Sequence, residues 1–255
     1  MKVVIIGAGN VATVFGNIIT KAGHEIIQVV NRNIVHAEIL ANNFGCAFTD
    51  DAKMLVTTAD IYLVALSDTA LNGINETYFL GDKVIVHTAG SVSKDVLKMV
   101  SVNYGVLYPL QSLRKENLDL QQDIPLLIDG NSDDTISMIE KFASTLSSIV
   151  AKANDEQRMK LHVAAVIVNN FSNHLYTLAA DYCKKEGVDF NMLQPLIEET
   201  ALRLRDHLPG DMQTGPAVRK DIATVDKHLR LLSQHPALKK LYLKISESII
   251  NPDAP

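Results

Sequence analysis

The sequence predicts an α/β fold over about the first 150 residues, followed by an all-α second part, and three observations predict it. Short β-branched runs alternate with helical patterns through the first part, the signature of βαβ units around a mostly parallel sheet. Long helical stretches then follow, with no further strand pattern. The first strand also runs directly into Gly7-Ala8-Gly9-Asn10-Val11-Ala12, a turn of small residues that opens a helix.

Taken in order, the strands are expected at Val3–Ile6, Ile26–Asn31, Ala47–Thr49, Ile61–Leu66, Lys83–His87, Val106–Tyr108, Pro125–Ile128 and Ser148–Lys152. Gly23 and Gly45 end the first two helices, and Asp50 and Ser93 are candidate N-caps. The later helices are expected at Glu156–Lys185, Met192–Asp206, Pro216–Ser233 and Pro236–Ile250. Gly187, Pro209-Gly210 and His235-Pro236 separate them. No Pro/Gly/Ser-rich linker marks the join, so two packed domains are expected, 1–152 and 153–255.

Composition narrows the function classes. A chain of 255 residues amounts to roughly 1.7 typical domains. Lys plus Arg total 24 against 29 Asp plus Glu, a net charge of −5, which argues against a nucleic-acid or anionic-membrane partner. No apolar run reaches the length of about 18 residues that a membrane span needs. Met1 directly precedes the first strand, leaving no room for a targeting peptide. The only cysteines, Cys46 and Cys183, lie far apart and outside metal-ligand spacing, so no metal and a reducing, cytoplasmic location are expected.

Each position of the glycine turn has a job in binding a dinucleotide. Gly7 permits the tight strand-to-helix turn, and Gly9 lets a pyrophosphate approach the backbone. Ala12 allows close helix–strand packing, while the helix start at Asn10 and Val11 offers free N–H groups and positive dipole character. Twenty residues beyond Ala12 the second strand ends at Asn31-Arg32, where an NAD site usually carries an acid. The Arg32 guanidinium can pair with a 2′-phosphate and Asn31 can donate to it, so NADP(H) is expected over NAD(H).

The remaining site should lie at the carboxyl ends of the strands. Those ends read Leu66-Ser67-Asp68, His87-Thr88-Ala89-Gly90-Ser91 and Tyr108-Pro109-Leu110-Gln111-Ser112. Leu66, Ser67, Thr88 and Gly90 suit the cofactor's nicotinamide ribose, and His87, Tyr108 and Gln111 suit a small polar substrate. His87 is either a proton donor or a packed core histidine, and Asp68 is either a polar contact or the N-cap of a helix starting near Thr69.

In the second part, Leu161–Leu178 is mostly apolar, as in a helix buried between domains. His162, Asn169 and Asn173 recur at i, i+7 and i+11, which α-helical geometry places within roughly 20° of His162 on one face. Asn170 and Tyr176 flank that side. Such a stripe binds a ligand at a domain crevice or makes a hydrogen-bonded helix or dimer contact. Thr214-Gly215-Pro216-Ala217-Val218-Arg219-Lys220-Asp221 reads as a helix entrance with proline in its first turn. Arg219, one turn inside, is either an anion clamp or one half of a structural pair with Asp221 or Asp226.

The GAGNVA turn, the Asn-Arg at the second strand end and a helical second half resemble the pyrroline-5-carboxylate reductases and deazaflavin-dependent NADP oxidoreductases. More closely, HVAAVIVNNF followed by TGPAVRKD resembles a family of Rossmann-like NADP oxidoreductases with a C-terminal domain of unknown function. The resemblance spans essentially the whole chain. It implies an N-terminal Rossmann NADP-binding domain, an all-α C-terminal domain related to that of 6-phosphogluconate dehydrogenase, and a homodimer built through those helices. Related β-hydroxyacid dehydrogenases carry a catalytic lysine three or four residues before an Asn-Asn pair. Aligned on Asn169-Asn170, this chain has Ala165 and Val166 there. The proton-transfer role would then pass to His162, His87, Tyr108 or water. The leading expectation is an NADP(H)-dependent oxidoreductase acting on a C=O or C=N group of a small anionic metabolite in the interdomain crevice. In that reading His162 is the acid, Asn169 the orienting amide, Asn173 a substrate contact and Arg219 the anion clamp. A non-catalytic NADP(H) redox sensor is the alternative.

Overall fold

A computed structural model describes residues 1–116 and 123–252. The first part forms one eight-stranded sheet. Its elements are β1 (Lys2–Ile6), α1 (Asn10–Lys21), β2 (Glu25–Val30), α2 (Ile34–Phe44), β3 (Ala47–Thr49), β4 (Ile61–Val64), the one-turn α3 (Asp68–Leu71), β5 (Gly81–His87), β6 (Ser101–Pro109), β7 (Leu126–Gly130), α4 (Asp133–Leu146) and β8 (Val150–Lys152). The strand order is β3-β2-β1-β4-β5-β6-β7-β8. Neighbouring strands are parallel except β6 and β7, which pair antiparallel. The order reverses between β1 and β4, and an open α/β sheet binds its ligand outside the strand ends at such a switch point.

The central strands are continuous apolar runs because both sheet faces are covered. All four residues of β4, and Val3 to Ile6 of β1, are buried. Alternation along each strand divides them between two cores. Val3, Ile5, Leu63 and Val86 pack with Phe15 of α1, Leu40 of α2 and Phe142 of α4. Val4, Ile6, Tyr62 and Ile85 pack with Leu71, Ile74 and Leu97 on the other side. Each fully buried side chain of this size contributes about 1.5–3 kcal/mol relative to exposure.

All eight expected strands are present. Two cap assignments are corrected. Asp51, not Asp50, caps the short turn Ala52–Met54, and Ser67, not Asp68, accepts from the Ala70 N–H at the start of α3. Gly45, at φ 63°, and Ser93, accepting from Asp95 N–H, act as expected.

The chain then continues through α5 (Asp155–Ala165), a π turn (Val166–Phe171), α6 (Ser172–Glu186), α7 (Gln194–Arg203), α8 (Ile222–Leu231) and α9 (Pro236–Ile250). It divides into two compact units, Met1–Asn169 and Asn170–Pro255, with the boundary inside the π turn. A capping box of Asn154 and Gln157 starts α5. One expectation is corrected here. The expected helix Pro216–Ser233 begins only at Ile222, because Lys220 takes a left-handed φ of 55° and the Asp221 carboxylate caps Thr224 N–H. Val168 is 72% and Phe171 58% exposed. No helix of the described residues is long and apolar enough to cross a membrane.

Candidate functional site

The carboxyl ends of β1, β2 and β4 border a groove of about 450 Å³. Gly7, Ala8 and Gly9 form one side, Asn31 and Arg32 another, and Leu66 and Ser67 a third, so seven expected cofactor contacts meet in one place. Gly7 has a φ of 118°, and its N–H donates to Val30 O at 2.7 Å, which bends the chain sharply off β1. Gly9 is the N-cap residue of α1, and no side chain satisfies that helix start. Nothing lies within 4 Å of the place where a Cβ on Gly9 would project. Open space over a glycine, free N–H groups and a helix N-terminus without acidic residues form a cradle for a pyrophosphate. Asn10 and Val11 begin α1, and buried Ala12 packs it against the sheet.

Arg32 lies exposed beside the groove, with Asp50 also at its edge. The Asn31 amide donates to Asn33 O at 2.9 Å, and the Asn33 side chain caps α2. Asn31 therefore braces the turn, which leaves Arg32 as the anion-facing group of the pair. Arg32→Ala is expected to lower the preference for NADPH over NADH by about tenfold or more, read by fluorescence titration of both. An unchanged preference would remove Arg32 from 2′-phosphate recognition.

Further along the same sheet edge, past β5 and β6, a second cluster gathers. The Tyr108 hydroxyl and His162 Nδ1 are 3.0 Å apart, with their rings edge to face. Gly90 passes directly beside them: a Cβ there would meet both His162 Nδ1 and Tyr108 Cζ at 2.7 Å. The Ser91 hydroxyl donates to the Asp68 carboxylate, tying the loop after β5 to the loop after β4. The Thr88 hydroxyl donates to Val64 O and is buried, so its side chain serves the sheet rather than the groove.

His87 is fully buried, and backbone groups engage both ring nitrogens. Nδ1 accepts from Ala89 N–H at 3.2 Å and Nε2 donates to Ser93 O at 3.3 Å. Burial first, then the nearby Arg158 charge, pushes the imidazole down to about 4. The expected substrate contact at His87 is corrected to a structural, neutral histidine. Arg158 is the residue that sequence reasoning missed. Its side chain is 1% exposed, and its Nη2 donates to Val92 O at 2.6 Å and to Asp155 at 2.7 Å. Its Nε and Nη1 are buried without a partner among the described residues. The available signal was its i, i+4 spacing to His162 just after the capping box.

Gln111 is exposed, with its side-chain oxygen accepting from Ser112 N–H. Asn169 lies in the π turn and Asn173 in α6, both exposed. A single stripe through His162, Asn169 and Asn173 requires an uninterrupted α-helix. A π turn adds a residue to the turn and rotates the residues beyond it by about 100°, so that projection does not hold. Arg219 is exposed in the turn before α8, not one turn inside a helix. Among the described residues, no group of three or more His, Cys, Asp or Glu could hold a metal ion.

A Rossmann sheet with a dinucleotide cradle at its switch point defines the class, and the comparisons sharpen it. Residues 2–90 match the family model described as NADP oxidoreductase coenzyme F420-dependent, and residues 124–249 match a domain of unknown function. A Bacteroides fragilis protein, provisionally named an NADP oxidoreductase, is 37% identical, with 98% of each chain covered and a TM-score of 0.86. An imine reductase from Myxococcus stipitatus in complex with NADP⁺ is 14% identical, with 99% of this chain and 95% of that one covered and a TM-score of 0.69. A 1-pyrroline-5-carboxylate reductase from Streptococcus pyogenes is 13% identical, with 98% of each chain covered and a TM-score of 0.66. The last two share the fold. No curated protein matches. The chain belongs to the family of NADP oxidoreductases with a C-terminal domain of unknown function, and NADP is the family's cofactor.

Proposed function

We propose that this chain is an NADP(H)-dependent reductase of a C=O or C=N group on a small, anionic metabolite, acting in the interdomain crevice that the sequence predicts. The observation that carries the reading is the Tyr108–His162 pair, a proton-bearing hydrogen bond on the same sheet edge as the dinucleotide cradle. Gly7, Ala8, Gly9, Asn10, Val11 and Ala12 would hold the pyrophosphate and Arg32 the 2′-phosphate. Leu66, Ser67 and Gly90 would line the path to the nicotinamide ribose, and Thr88 would support it from within the sheet. NADPH, when bound, supplies hydride to the substrate carbon. This chain's residues do the rest: His162 supplies the proton, Asn169 and Asn173 orient the substrate, and Arg219 pairs with its anionic group. The proposed division of labour follows 1–152 for the cofactor and 153–255 for substrate and dimerisation, in a cytoplasmic protein.

The second part supports a homodimer through its helices. Between Leu161 and Tyr176 seven large apolar side chains are exposed, among them Val163, Ile167, Val168 and Phe171. An apolar surface of this kind marks an association site.

His162→Ala is expected to lower kcat by about a hundredfold or more, as for loss of a general acid. Near-wild-type turnover in the variant would remove His162 from the chemistry. A redox sensor would instead bind NADP⁺ and NADPH with different affinities while reducing none of a panel of 2-oxo acids and cyclic imino acids.

A further inference from the structure

We infer that Tyr108 is the immediate proton donor to the substrate and that His162 acts through it, recharging the phenol from Nδ1, while Arg158 stabilises the phenolate formed in between. The inference deepens the reductase reading and rests on it.

Position comes first. Adjacent strands are about 4.8 Å apart, so the end of β6 lies roughly 10 Å along the sheet edge from the end of β4. The loop after β4 borders the dinucleotide groove through Leu66 and Ser67, and its Asp68 is tied to Ser91 beside Gly90. Gly90 in turn touches Tyr108 and His162. A continuous line of contacts therefore leads from the groove to the Tyr108 hydroxyl, which stands at the carboxyl end of β6, where reacting groups of an open α/β sheet collect. His162 comes from α5, and its Nδ1 is already committed to Tyr108.

Electrostatics come second. Burial pushes the Tyr108 phenol up, Arg158 pulls it back down, and the Asp68 carboxylate adds to the upward push. The Arg158 guanidinium is dry, and two of its nitrogens lack partners among the described residues, so Asp155 and Val92 leave part of its donor capacity unused. A buried cation near a phenol favours the phenolate that exists only after the proton has left.

The step balances. As the substrate carbon takes up hydride, the Tyr108 O–H bond breaks and its proton forms the product's new O–H or N–H bond. The Nδ1–H bond of protonated His162 then breaks and restores the phenol, leaving neutral imidazole. Solvent recharges the pair after product leaves. The two electrons come from NADPH, the reductant of the family's reaction.

The test combines single and double variants with a spectroscopic readout. Substrates are the panel of 2-oxo acids and cyclic imino acids, with NADPH oxidation followed in full-length protein. Tyr108→Phe is expected to lose at least a hundredfold in kcat with KM within threefold. Because the two groups act in series, Tyr108→Phe combined with His162→Ala should fall no further than the worse single variant. NADPH affinity should stay within twofold throughout. In ¹⁵N-histidine-labelled protein, the His162 Nδ1 resonance should move when Tyr108 becomes Phe, and Arg158→Lys should retain more activity than Arg158→Met. If the wild type binds NADPH but oxidises none across the panel, the reductase reading falls. With wild-type turnover present, three results overturn the relay: a Tyr108→Phe enzyme keeping over a third of kcat, losses that multiply in the double variant, or an unmoved Nδ1 resonance.

Discussion

Gly7→Ala is expected to abolish NADPH binding and to destabilise the sheet unit by about 3 kcal/mol or more. Two costs coincide. The φ of 118° lies where an L side chain is strained, and an added Cβ would sit 2.3 Å from Ala65 O and 2.9 Å from Ala65 C. Those are backbone atoms, and they cannot swing aside. Ala65 N–H donates to Ile6 O at 2.8 Å and Gly7 N–H to Val30 O at 2.7 Å, so the turn is clamped to both neighbouring strands. Relief would require separating β1 from β4 at the switch point itself. Gly9→Ala is the informative contrast. Its Cβ meets no protein atom, so the fold should keep its melting temperature while the pyrophosphate loses its close approach. Thermal melts and NADPH titrations of both variants check the pair of outcomes. A Gly7→Ala protein that melts with the wild type and binds NADPH normally would contradict the argument.

That contrast shows why the sheet unit was legible in sequence. Its signals are local: β-branched runs of strand length, glycines at turns, and a motif whose spacing is set by one strand, one turn and one helix. Gly7, Gly9 and Arg32 converge on one groove because sequence neighbours at strand ends are also neighbours in space. The rest was illegible for equally physical reasons. Whether Ser67 or Asp68 caps α3 depends on the φ and ψ that the chain takes leaving β4, and both residue types are good caps. The π turn carries no distinctive residue type, yet it upsets any projection drawn across it at 100° per residue. Lys220 in the left-handed region has no compositional signature, so the sequence pattern starts α8 earlier than the chain does. Arg158 reads as an ordinary polar position on the first turn of a helix, and only tertiary packing buries it. The Tyr108–His162 contact joins residues 54 apart in sequence, which no spacing rule can supply.

Acid should weaken the protein through His87 by about 3 kcal/mol between pH 6.5 and pH 4. The folded imidazole titrates at about 4 against an ordinary value of 6.5. In that window the unfolded chain binds a proton that the native state does not, so native stability falls as pH falls. Above pH 6.5 the contribution is fully present, and below about 4 it is gone. The structural cause is specific. A protonated Nδ1 can no longer accept from Ala89 N–H, and an imidazolium would stand near the Arg158 guanidinium. The Asp155 and Asp68 carboxylates favour the imidazolium and offset part of this, but burial and Arg158 outweigh them. Although burial pushes the Asp155 carboxyl up, hydrogen bonds from Ser93 and Arg158 hold it below the ordinary carboxylate range. Urea unfolding at pH 7, 5.5 and 4.5 should show the loss, and His87→Gln should flatten it even if that variant is less stable at pH 7. An equally steep acid dependence in the variant would place the proton uptake elsewhere. Because Ala89 leads directly into Gly90, which packs on Tyr108 and His162, the first consequence of charging His87 is felt at the proposed proton donor. Turnover should therefore fall in acid before the sheet unfolds, and returning the sample to pH 7 should restore it.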